Sequence, residues 1–119
     1  MTSEAGRQWI ADTTQRIMNT NEMVGWNQKI TFGEMMALLH SEVSEALEAW
    51  RVNGLRDTTR VHVPGTALPK PEGVGSEFAD ILIRLLTFSH SCGIDLINEV
   101  ERKMDYNATR PYRHGGKKI

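Results

Sequence analysis

A chain of 119 residues, 39% of them hydrophobic, is long enough for one small core and is expected to form a single domain over residues 1–119. Fourteen Lys and Arg against fifteen Asp and Glu leave a formal charge of −1, which excludes a global field that would draw the chain to nucleic acid or to an anionic membrane. The one cysteine, Cys92, excludes an internal disulfide, no apolar run approaches the roughly 20 residues of a membrane span, and the polar start "MTSEAGRQ" lacks the features of a signal peptide, so a cytoplasmic location is expected.

The first predicted element is an amphipathic helix over "SEAGRQWIADTTQRIM", opened by Ser3, with Trp9, Ile10, Thr13, Ile17 and Met18 at three- and four-residue spacings. A turn-rich stretch, "NTNEMVGWNQ", follows it. Thr31 with Glu34 three residues on then forms a capping box, so a second helix begins near Phe32. The apolar face of that helix, from Met35 to Trp50, is broad enough to meet more than one neighbour. Residues 51–74 carry glycines and prolines and no sustained helical period, which gives a long loop with room for a short element in "TRVHVPG".

A third helix, about Ser76 to Ser91, is apolar nearly all round and is expected to be buried on several sides. Gly93 stops it, and Asp95 serves as the cap or a first-turn acid of a fourth helix that runs to about Ala108 with Leu96, Ile97, Val100 and Met104 inward. The tail 109–119 is basic and irregular. Four helices in this order predict an all-α fold of the bundle type.

The chemistry concentrates on the second and third helices. Glu42 and Glu45 on one, and Glu77 and Asp80 on the other, are each three positions apart, so the two members of a pair share a helix face. Either pair alone is common on a solvated helix; Asp80 has a local partner in Arg84 at i+4, and Glu77 suits a helix start. Both pairs, each bordering an apolar stripe, also fit a different arrangement, in which opposed faces gather four carboxylates. Such a group must take up protons or a cation, and oxygen donors suit Mg²⁺ or Mn²⁺. Glu48 belongs to the solvated side.

Lys103, Asn107 and Arg110 follow at four- and three-residue spacing and share one face near a helix end, where they either hold an anion or simply favour the helix dipole. The histidines show no metal-ligand spacing. Trp9 and Trp50 are assigned to the core, whereas Trp26 in "VGWNQ" is placed to offer an aromatic face to a base.

The blocks "LLHSEVSEALEAW", "SEFADILIRLL" and "KMDYNATRPYRHGGKK" together resemble the MazG-like branch of the all-α nucleoside triphosphate pyrophosphohydrolases. The resemblance spans about Gly25 to Lys118. It implies an all-α fold completed as a homodimer or homotetramer, with the site near a subunit junction. It also implies magnesium ligands at Glu42, Glu45, Glu77 and Asp80, and substrate contacts at Lys103 and Asn107 with Arg110 just after. The implied reaction is Mg²⁺-dependent hydrolysis of a (deoxy)nucleoside triphosphate to the monophosphate and pyrophosphate, with Trp26 at the position of a base-stacking residue; for that reaction the charge of Arg84 makes it a further phosphate contact by its own chemistry. Three features depart from the family pattern. Ser41 stands where relatives often have a further glutamate, the spacer between Glu45 and Glu77 is long, and Arg84 occupies a position that is aromatic in relatives of the deoxycytidine triphosphatase kind. The missing acid leaves a second reading open, that of a non-catalytic nucleotide-binding or regulatory oligomer of the same fold.

Overall fold

The computed structural model describes residues 3–56 and 59–119. They are mostly helical: α1 (Glu4–Val24), α2 (Phe32–Asn53), α3 (Val74–Ser91), α4 (Leu96–Ala108) and a last single turn, α5 (Arg113–Gly116), with two short strands, β1 (Arg60–Val61) and β2 (Lys70–Pro71), between α2 and α3. Among them no helix is long and apolar enough to cross a membrane.

Local chemistry sets the helix starts. The Ser3 hydroxyl accepts from the Gly6 amide, Asp95 Oδ1 accepts from the Asn98 amide, and Thr31 and Glu34 form the reciprocal capping box, each side chain bonded to the other's backbone amide. The Glu34 carboxyl is held below its ordinary pKa by the Thr31 amide first and by the Thr31 hydroxyl second. The α1 end differs from expectation. The helix continues through "NTNEMV" and stops at Gly25, whose φ of 86° is left-handed and lets the Gly25 and Trp26 amides close back on the last turn.

The loop from Gly54 to Gly73 contains the short element anticipated in "TRVHVPG". Arg60 and Val61 pair antiparallel with Pro71 and Lys70, and the Glu72 amide donates to the Thr59 carbonyl. The ribbon folds the loop back and delivers Lys70 to the start of α3. Gly73 caps α3 at φ 109°, a conformation that other residues rarely adopt.

The packing is uneven. α2 lies along α3, α1 packs on α3, and α4 packs only lightly on the rest, tied to α1 by Arg7 reaching Glu101 at 3.5 Å and Asp95 at 3.7 Å. Among the described residues only Ala46, Val74, Leu86 and Phe88 are buried hydrophobics. The expectation that α3 is covered on several sides therefore fails within one chain, because Phe78, Leu82 and Ile83 remain open. Trp9 and Trp50, assigned to the core, are 55% and 52% exposed, and the α4 residues Val100 and Met104 are exposed too. The Cα radius of gyration is 17.2 Å, against about 13–14 Å for a compact chain of this length.

Candidate metal centre

The α2–α3 contact is where the acidic residues meet. Glu42 and Glu45 are one helical turn apart on α2, and the burial of Ala46 at the next position shows that this side of α2 faces its neighbour. On α3, Glu77 lies in the first turn and Asp80 and Arg84 follow at three- and four-residue steps. Carboxylate oxygens of Glu42, Glu45 and Glu77 all lie within 4.8 Å of one another, a spacing that can hold a metal ion. Glu42 is only 7% exposed, Glu77 is half-buried and Glu45 opens to solvent.

Two oxygens mark the interior of this group. Glu42 Oε2 and Glu77 Oε2 are buried and have no hydrogen-bond partner. A buried carboxylate oxygen left unmatched is costly, and buried charge is ordinarily paired or bound to a metal. The donor set is all hard oxygen from carboxylates, which fits a hard divalent cation.

The electrostatics agree with the geometry. Burial pushes the Glu77 carboxyl up to about 7, and a shared hydrogen bond with Glu45 and the charges of Glu45, Asp80 and Glu42 push in the same direction. The α3 dipole favours an ionised acid in the first turn by only about 0.3–1 kcal/mol, and here burial and crowding prevail. Asp80 is also raised, by burial first and by Glu42 second, and is opposed by Arg84 and Lys70.

Asp80 is thus not one of the three residues whose oxygens converge, Glu42, Glu45 and Glu77, and it feels the charge of Glu42 on one hand and of Arg84 and Lys70 on the other. The local pairing of Asp80 with Arg84 is not the contact that forms. The Arg84 guanidinium instead crosses to α2, where Nε donates to Glu42 Oε1 at 3.1 Å and Nη2 makes an ion-pair contact of 3.1 Å with the same oxygen. Glu48, as expected, is exposed and reaches only Arg51 at 3.7 Å.

The other candidate residues are placed elsewhere. Lys103 and Arg110 flank the exposed Tyr106 ring, at 5.8 and 5.7 Å from its centre, with Asn107 on the same stretch of α4. Neither cation is among the charges acting on Glu77 or Asp80. Trp26 is 75% exposed just past the end of α1. Ser41, at the position of the absent acid, turns its hydroxyl to the Leu38 carbonyl at 2.7 Å.

One residue that sequence reasoning overlooked is Lys70. Carried back by the β-ribbon, it acts on Asp80 while pairing with Glu72 at 3.4 Å. Its only sequence signal is its place seven positions before Glu77, on a loop whose path is not readable from periodicity. An apolar cleft of about 510 Å³ also opens between α1, α3 and α4, lined by Trp9, Ile10, Leu82, Leu86, Ile97 and Val100, away from the carboxylates.

Comparison of the chain with family models, with curated proteins and with solved structures gives no match. The carboxylate geometry therefore carries the functional argument.

Proposed function

We propose that this chain is a MazG-like pyrophosphohydrolase that converts a (deoxy)nucleoside triphosphate to its monophosphate and pyrophosphate with Mg²⁺, or Mn²⁺ in its place. The observation that carries this reading is the pair of buried, unpartnered oxygens, Glu42 Oε2 and Glu77 Oε2, within a three-carboxylate cluster that also includes Glu45. Such a site on paired helices calls for a divalent cation, and the Glu-x-x-Glu and Glu-x-x-Asp spacings are those of the family that the sequence resembles.

A bound divalent cation would neutralise phosphate charge and acidify water at the cluster. The residues of the chain do the rest. Glu42 and Glu77 supply inward oxygens, and Glu45, the most open of the three, is placed to accept a proton from an attacking water. Asp80 extends the acidic surface toward Lys70, and that lysine offers a point charge to a phosphate oxygen. Lys103, Asn107 and Arg110 form a second cationic patch suited to a polyphosphate, and Trp26 presents a free face for stacking.

The same reading includes self-association. Val43, Leu47 and Trp50 make an open stripe on α2, and Phe78 and Leu82 another on α3, each more than 40% exposed. Contiguous apolar surface of this kind marks an interaction face. A homodimer, or a homotetramer made by pairing dimers, would cover it, complete a four-helix bundle and bring the α4 cations of one copy toward the carboxylates of another.

The test is pyrophosphate release from a panel of ordinary and modified NTPs and dNTPs, with Mg²⁺, with Mn²⁺ and with chelator, and with Glu45→Gln as the blank. Cation-dependent release that disappears in the variant is the expected result. A second reading, a non-catalytic nucleotide-binding or regulatory oligomer, draws support from Ser41, whose hydroxyl is engaged with the backbone and adds no donor to the cluster. It requires nucleotide binding without turnover across the whole panel, and that outcome would displace the enzymatic reading.

A further inference from the structure

Arg84 has a contact that a simple phosphate-binding arginine would not need. Its Nε–H donates to Glu42 Oε1 at 3.1 Å, and Nη2 lies 3.1 Å from the same oxygen in an ion pair. Glu42 is the most buried acid of the cluster, whereas the Arg84 side chain keeps 35% of its surface open. One Glu42 oxygen is thereby fixed from outside, and the other, Oε2, is left buried with no partner. A carboxylate gripped in this way is oriented before any ligand arrives, as supporting partners orient the direct ligands of metal sites.

The guanidinium also brings a permanent positive charge, since arginine does not deprotonate in proteins. It sits on the same carboxylate that a cation would use, so it repels a bare divalent ion. A unit charge facing a divalent one about 5 Å away, even in water-like surroundings, changes affinity on the order of tenfold. The sign reverses when the cation comes with a polyphosphate. That complex is anionic, and the partly open guanidinium has five N–H donors, of which only Nε–H is hydrogen-bonded to Glu42.

We propose that Arg84 is a positioning residue and resident counter-ion of the carboxylate cluster. It aims Glu42 Oε2 inward and weakens the binding of a bare divalent cation, so that the cation is held firmly only together with a polyphosphate. This rests on the reading of Glu42, Glu45 and Glu77 as a divalent-cation site.

The experiment is calorimetric titration of the cation-free full chain with Mn²⁺, alone and as the Mn²⁺ complex of inorganic tripolyphosphate, at one pH and ionic strength. Wild type, Arg84→Met, Arg84→Lys and Glu42→Gln are compared, with helical content checked by circular dichroism. Arg84→Met is expected to bind Mn²⁺ alone about tenfold more tightly than wild type and the tripolyphosphate complex less tightly. Arg84→Lys, which keeps the charge, stays within about threefold of wild type for Mn²⁺ alone. If Arg84→Met does not fold, Arg84→Gln takes its place with the same expectation. Unchanged or weaker Mn²⁺ binding on loss of the arginine charge, with wild-type binding still dependent on Glu42, overturns the role of Arg84 and leaves the cation site standing. No Glu42-dependent Mn²⁺ binding in wild type overturns both.

Discussion

The seam between α2 and α3 and the cleft between α1, α3 and α4 share one helix but are built from opposite chemistry. At the seam the chain buries Glu42 and half-buries Glu77, groups that are costly to remove from water. At the cleft it leaves Trp9, Leu82 and Val100 open, groups that gain about 25 cal/mol for each Å² covered. A chain stabilised only by its own packing would do the reverse. The difference teaches that the carboxylate cluster forms within one chain, with a cross-helix Arg84–Glu42 pair to hold it, while the apolar surfaces are suited to a covering partner. The proposed chemistry belongs to the first and the proposed self-association to the second.

The largest effect should come from attacking the seam. Glu45→Gln, or Glu77→Gln, is expected to lower cation-dependent pyrophosphate release by more than about a hundredfold, the upper end of what loss of a merely supporting group costs a metal site. Asp80→Asn is expected to abolish turnover as well, with the helical spectrum intact. The same Glu77→Gln change should leave the cation-free fold as stable as wild type or more so above neutral pH, because it removes a crowded charge. Assays of release and chelator-treated melting curves on one preparation check both halves. Full activity in a variant would remove that residue from the reaction.

The next effect belongs to the cleft and the open stripes. Leu47→Lys on α2 and Leu82→Glu on α3 each place a charge on an exposed apolar face. Each is expected to shift the chain toward monomer at micromolar concentration, as read by sedimentation, and to lower the melting temperature of the assembled protein by mass action. Wild type that sediments as a monomer at every concentration would break the comparison, since the open surface would then have no partner of its own kind.

What the sequence made legible divides along the same line. Helix starts were readable at Ser3, Thr31 and Asp95 because a cap is a contact across three residues. The gathering of Glu42, Glu45 and Glu77 was also readable, since three-residue spacing fixes a shared face and two acidic faces have few reasons to meet. The reach of Arg84 was not. A local rule pairs it with Asp80 four positions earlier, and its actual partner lies 42 positions away on another helix. Lys70 was hidden for the same reason, its place being set by a two-stranded ribbon inside a loop without periodicity. Trp9 and Trp50 expose another limit: an apolar stripe shows that a face wants cover and not whether the same chain supplies it. The early end expected for α1 comes from reading Asn and Thr as turn formers, whereas the helix runs on to Val24 and Gly25 ends it.

A smaller effect tests the charge at the seam through pH. The Glu77 carboxyl is raised in the fold from 4.5 to about 7. Between those values the folded chain binds more protons at this group than the unfolded chain does, so its contribution to stability is whole below 4.5 and is lost as pH rises through about 7. Asp80, shifted the same way, adds to the slope. In chelator, the melting temperature of wild type relative to Glu77→Gln should fall between about pH 5 and about pH 8. Saturating Mg²⁺ should flatten that difference by favouring the ionised acids. Parallel pH profiles for the two proteins in chelator would show that Glu77 is not under strain.

The smallest effect is a control that separates stability from site. Thr31 and Glu34 close the start of α2 through exposed contacts near 3 Å, three turns before Glu45. Thr31→Ala removes the hydroxyl that accepts the Glu34 amide and is expected to cost about 1 kcal/mol. Because α2 is tied to α3 through Glu42 and Arg84, well past its first turn, the loss should fray that first turn and stop well short of the carboxylates. Melting temperature should therefore drop while Mn²⁺ affinity and the cation dependence of turnover stay at wild-type values. Should Thr31→Ala weaken cation binding as much as it weakens the fold, the seam would depend on the whole of α2, and its independence from the rest of the chain would have to be given up.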